Sequence, residues 1–94
     1  MNTKFDSGHV VVTGGVHAFM ENNPQFALHV HHSLARHLSG DWGDVCKEDW
    51  ATNEEALLNG YRLFSAYKQE GMPPIWIITE ADRSVTTVLL PDEY

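Results

Sequence analysis

Only one of the 94 residues is cysteine and only six are basic, and these scarcities exclude more than any motif asserts. A single thiol, Cys46, cannot close an internal disulfide, so the chain reads as a protein of a reducing, cytoplasmic compartment. Six Lys and Arg against 13 Asp and Glu leave a formal charge of −7. The basic residues stand singly along the chain. Direct nucleic-acid binding needs clustered cations to neutralise phosphates, and is not expected here. No apolar stretch approaches the roughly 20 residues that cross a bilayer. The opening Met-Asn-Thr-Lys-Phe-Asp-Ser-Gly carries no signal-peptide hydrophobic run, so neither membrane nor export is expected. A P-loop, a dinucleotide fingerprint, a nucleophile elbow and paired Cys-x-x-Cys are all missing, and no cofactor is expected.

What is present is the composition of one globular domain, 1–94, with 43% hydrophobic and 20% charged residues. Its small size keeps its stability margin thin. The β-branched run His9 to Thr13, stopped by Gly14-Gly15, predicts a strand. A short helix follows over Val16 to Glu21, with Thr13 as its cap. Asn23-Pro24 starts a second helix, with Asn as cap and Pro at the first position. There Ala27, Val30, Leu34, His37 and Leu38 recur at helical spacing, which puts His37 on the buried face and His29, His32 and Arg36 in water. A turn holding Trp42 leads to a helix over Lys47 to Asn59, with acids in its first turn and Gly60 at its end. Beyond it the period changes to two, predicting strands at Tyr61–Lys68, Ile75–Glu80 and Ser84–Leu90 with short antiparallel links. The expected fold class is α+β: an N-terminal strand and helices packed on a small antiparallel sheet of three to four strands. The last strand, followed by Pro91 and acids, reads as a sheet edge, and that edge or the adjacent helix face is the expected route to a homodimer.

Two clusters stand out. All six histidines fall within the first 37 residues. His29, His31, His32 and His37 are dense, yet no zinc-ligand spacing joins them to His17, Cys46 or an acid, and no metal is expected. The acids Asp41, Asp44, Glu48, Asp49, Glu54 and Glu55 surround only Lys47. A solvated helix face is one reading, and a surface for a basic partner is the other.

The stretches His37-Leu38-Ser39-Gly40-Asp41-Trp42-Gly43-Asp44 and Trp76 to Tyr94, with Asn53-Glu54-Glu55-Ala56-Leu57 and Arg62-Leu63-Phe64-Ser65-Ala66-Tyr67 between them, carry a resemblance. The chain resembles a family of small uncharacterised bacterial mobile-element proteins, labelled "plasmid-related protein" or "type I restriction endonuclease subunit M". The likeness runs from Leu34 to Tyr94 and is weak over Gly14 to Leu34. It implies residence on plasmids or other mobile elements and carries no activity. The methylase label fails on chemistry, because Asn23-Pro24-Gln25-Phe26 lacks the second proline of an amine-binding loop and starts a helix.

Two functions are therefore expected. The first is a non-enzymatic accessory or protein-interaction module, with Asp41, Trp42, Asp44, Glu48, Asp49, Glu54 and Glu55 as the face for a basic protein. In it Trp42 plugs the turn and His37 bonds the helix-end carbonyls. The second is a metal-independent ribonuclease-like hydrolase centred on the last hairpin. In it His37 acts as acid or base, Arg83 holds a phosphate, and Ser84, Thr86 and Thr87 assist. That reading is an analogy of element order only. A cleft in which His37 converges with Arg62 or Arg83 separates the two.

Overall fold

Local signals place most of the elements. The computed structural model describes residues 3–94. The valine run forms β1 (His9–Val12), and α1 (Gly14–Asn22) begins immediately after it. Thr13 occupies the cap position of α1, but its hydroxyl makes no bond to the helix. It donates instead to the carboxylate of Glu93, which also accepts the Gly15 amide at 2.9 Å. An acid from the far end of the chain thus sits on the positive N-terminus of α1. The next helix, α2 (Pro24–Leu38), starts as expected, with Asn23 Oδ1 accepting the Phe26 amide at 3.1 Å. The third, α3 (Lys47–Asn59), ends at Gly60 in the left-handed conformation, φ 74°.

The remaining strands are β2 (Leu63–Tyr67), β3 (Ile75–Thr79) and β4 (Val85–Leu89), followed by a 3-10 turn over Pro91–Glu93. The α+β class stands, with β2–β3 and β3–β4 antiparallel. Strand order is β1-β4-β3-β2, and β1 joins parallel to β4 with His9 beside Val85. The sheet is therefore mixed, and the strand expected at the edge lies inside it. A dimer through β4 is ruled out, since β1 and β3 already occupy both of its sides. The β1–β4 pairing spans the whole chain without a turn to announce it, so only global packing selects it.

One sheet face carries Tyr67, Ile75, Ile77 and Val88, which form the main core with Val16 of α1 and with Phe26 and Val30 of α2. The buried stripe of α2 is Phe26, His29, Val30, Ser33 and His37. It is rotated toward Phe26 from the stripe expected, because α1 packs on that side and Phe19 meets Phe26 at 5.5 Å between ring centroids. His29 is consequently buried rather than in water, while His32 and Arg36 are exposed. A second core gathers Trp42, Ala56 and Leu63 between α3 and the sheet.

The free side of β2 is closed by side chains and a loop. Asn53 accepts the Phe64 amide at 3.0 Å and donates to the Phe64 carbonyl. Two residues on, Ala66 bonds the Trp42 carbonyl and the Asp44 amide, and the Asp44 carboxylate accepts the Lys68 amide at 2.8 Å. Gly43 lies in this contact at φ 76°, where a Cβ would overlap the Ala66 carbonyl and the Tyr67 ring. Asn53 therefore acts as a one-residue strand partner. Replacement Asn53→Leu leaves both Phe64 backbone groups unpaired and is expected to cost about 2–3 kcal/mol. Urea unfolding at unchanged m-value checks this.

Candidate functional site

The only histidine expected to be buried is buried completely, together with three hydroxyls. His37, Ser65, Thr79 and Thr86 are each 0% exposed. His37 Nδ1 bonds Ser65 Oγ on β2, and Nε2 bonds Thr79 Oγ1 on β3 at 2.9 Å. Thr79 Oγ1 lies 2.7 Å from Thr86 Oγ1, which donates to the Ser7 carbonyl at 2.8 Å. That carbonyl can only accept, and this settles every proton upstream. Thr86 gives its proton to Ser7, so Thr79 must give its own to Thr86 and accept from His37 Nε2–H. Nδ1 is then the acceptor, and Ser65 donates to it. The partners of His37 are thus hydroxyls of the sheet, not the helix-end carbonyls expected.

Burial pushes the His37 pKa down to about 3, with the positive charge of Arg83 adding to the effect. The ring is neutral at pH 7. Phe5 meets it edge-on at 5.3 Å and Trp42 at 5.6 Å. Trp42 is fully buried, so it packs as a plug and forms no part of an accessible face.

Of the other nuclease candidates, only Thr86 joins the hydrogen-bond chain of this ring. Arg83 adopts φ 62° and points its guanidinium at backbone carbonyls, Tyr61 at 2.7 Å and Ala56 at 3.2 Å among them. It closes the C-terminal end of α3, where a cation is favoured. Ser84 is exposed and donates to Asp82 at 2.6 Å. Thr86 belongs to the His37 chain, and Thr87 lies on the opposite sheet face. Arg62 is elsewhere, over the Tyr94 ring at 5.3 Å.

That opposite face holds an open groove of about 310 Å³ between α3 and the sheet, lined by Asp49, Thr52, Asn53, Arg62, Phe64, Trp76 and Tyr94. Period two sends Phe64 and Trp76 away from the main core, so they meet edge-on at 5.1 Å, and Trp76 meets Tyr94 at 5.8 Å. The helical wall contributes one acid to the lining, with two more beside it. Asp49 is in the groove, and Glu48 and Glu55 share the stripe of Thr52 at i, i+4 and i+7. Glu54 lies on another side of α3. Asp41 is held by Arg36 through bonds of 2.8 and 3.2 Å, which keep its carboxyl below the usual range. Asp44 is engaged with Lys68. The expected acidic face thus divides into structural acids in the turn and exposed ones on α3. Phe64, Trp76 and Tyr94 were not foreseen as site residues, although strand alternation was the signal that pairs Phe64 with Trp76.

No group of three His, Cys, Asp or Glu side chains among the described residues is placed to hold a metal ion. Compared with family models, with curated proteins and with solved structures, the chain matches none.

The buried imidazole links stability to pH. An unfolded chain protonates His37 near pH 6.5, whereas the folded chain resists to about pH 3. Below pH 6.5 the unfolded state binds the extra proton, so stability falls with pH down to about 3, by on the order of 5 kcal/mol. Burial lowers the His29 pKa as well, which acts in the same direction. His37→Gln is expected to cost about 1–2 kcal/mol at pH 7 and to flatten the slope between pH 4 and 6.5. Thermal unfolding across that range checks the slope, and nitrogen-15 spectra of the ring at pH 5 should report the neutral Nε2–H tautomer.

Proposed function

We propose that this chain is a small non-enzymatic interaction module whose aromatic groove beside α3 receives a basic, apolar segment of a partner protein. The observation that carries the reading is the joining of an aromatic floor to an acidic helical wall. Phe64, Trp76 and Tyr94 offer ring faces and edges for apolar and cationic side chains, and Arg62 over Tyr94 is an internal example of that contact. Asp49, Glu48 and Glu55 supply the opposite charge. A net charge of −7 steers cationic partners toward the molecule before contact. The module reading also gains from His37. Both of its nitrogens are bonded within the core and Arg83 is bonded to carbonyls, which weighs against them as the acid, base and phosphate clamp of the ribonuclease-like alternative. A role as an accessory protein of a mobile genetic element rests on the resemblance of Leu34 to Tyr94 alone.

A short peptide with one leucine between two arginines, titrated by NMR, tests the groove. Shifts should cluster on the Trp76 indole, the Asn53 amide and Arg62. Asp49→Lys should weaken binding by about tenfold and added salt should weaken it further, while Trp76→Ala should abolish it without unfolding the chain. No shifts at millimolar peptide, or shifts centred elsewhere, count against the groove. Cleavage of an RNA pool in EDTA that is lost in both His37→Gln and Arg83→Ala would favour the hydrolase instead. No cleavage is expected.

A further inference from the structure

We propose that β1 pairs with β1 of a second copy, antiparallel about a two-fold axis at Val11, to make one continuous eight-stranded sheet. The two edges of the sheet are treated in opposite ways. Along β2 the outward N–H and C=O groups of Phe64 and Ala66, and the Lys68 amide just beyond, are taken by Asn53, the Trp42–Asp44 loop and the Asp44 carboxylate. Along β1 all four residues are exposed, with Val10, Val11 and Val12 at 43%, 44% and 37%. His9 and Thr13 direct their amides to the Ser84 and Val88 carbonyls of the β4 side. Alternation therefore turns the N–H and C=O groups of Val10 and Val12 outward, where no protein group meets them among the described residues.

A second copy fits that edge by register. Antiparallel hydrogen-bonded pairs exchange two bonds each, so Val10 pairs with Val12 of the second copy and Val12 with its Val10. That makes four bonds around a Val11–Val11 contact. The same register sets the His9 imidazole opposite Thr13 of the second copy, whose hydroxyl is held by an acid, Glu93. This pairing recurs at both ends of the strand. Because the β2 edge is closed, each chain offers one open edge, so the assembly stops at two and does not run on as a fibre.

Charge favours the same strip. Two molecules of −7 repel, and Val10 to Val12 carry no charge, so the approach is least opposed there. Screening should then strengthen the dimer, the reverse of its effect on a basic peptide in the groove. The two proposals therefore fail separately. Four-residue strands bury little area, so half-association is expected on the order of 100 µM.

Sedimentation equilibrium from about 10 µM to about 1 mM should move from 10.6 kDa toward twice that mass, more readily in high salt. Amide exchange at Val10 and Val12 should slow over the same range. Val11→Lys sets two ammonium groups on the axis and should weaken association by more than about tenfold. Since Val11 is 44% exposed, its thermal midpoint should match the wild type. A chain that stays at 10.6 kDa at the highest concentration overturns the proposal. So does a dimer that survives Val11→Lys, or one that leaves the Val10 and Val12 amides unprotected.

Discussion

A neutral imidazole held between hydroxyls of two strands is the joint around which this small domain is assembled. His37 is the last buried residue of α2, and its ring ties that helix to Ser65 on β2 and Thr79 on β3. The hydroxyl chain continues through Thr86 on β4 to the Ser7 carbonyl. Helix, three strands and the N-terminal segment therefore meet in one line of donors and acceptors. Every group in the line has a single permitted proton direction, which makes it a demanding arrangement as well as a stabilising one. A buried polar chain with one member removed leaves costly unpaired groups. The aromatic packing of Phe5 and Trp42 keeps water from the ring, and that dryness is why His37 stays uncharged.

The line takes in Thr86 of the last hairpin, while Ser84 and Arg83 beside it are bonded elsewhere in the molecule. Thr86 hands its proton to a backbone carbonyl, Ser84 closes a turn with Asp82, and Arg83 satisfies carbonyls at the end of α3. The aromatic groove on the outer sheet face and the valine edge of β1 are the two surfaces we propose for binding. In those proposals the groove acts through rings and acids and the edge through backbone. The opposite edge differs, since the Trp42–Asp44 loop and one asparagine take the outward backbone groups of β2.

The limits of sequence reading follow from the range of each signal. The α2 start at Asn23-Pro24, the α3 end at Gly60 and the three C-terminal strands are announced by residues within a few positions of where they act. Helical spacing also placed His37 on a buried face. The same spacing misassigned His29, because the width of the buried arc depends on where α1 lies against α2. Thr13 carries the side chain of a helix cap, yet the acid that caps α1 comes from Glu93, some 80 positions away. Cluster-by-cluster reading of the acids could not separate Asp41, held by Arg36, from Asp49, free to line a groove.

By itself the sequence determined the α+β class, the helices and strands in order, the acidic charge and the burial of His37 and Trp42. These rest on local propensity, periodicity and composition, all of which act over a turn or two of chain. Tertiary structure alone decided that β1 lies parallel to β4, that β4 is interior, that hydroxyls rather than carbonyls receive His37, and that aromatic and acidic residues share one groove. Each of these joins residues far apart in sequence, and the free energy that selects them is gained only when whole faces pack together.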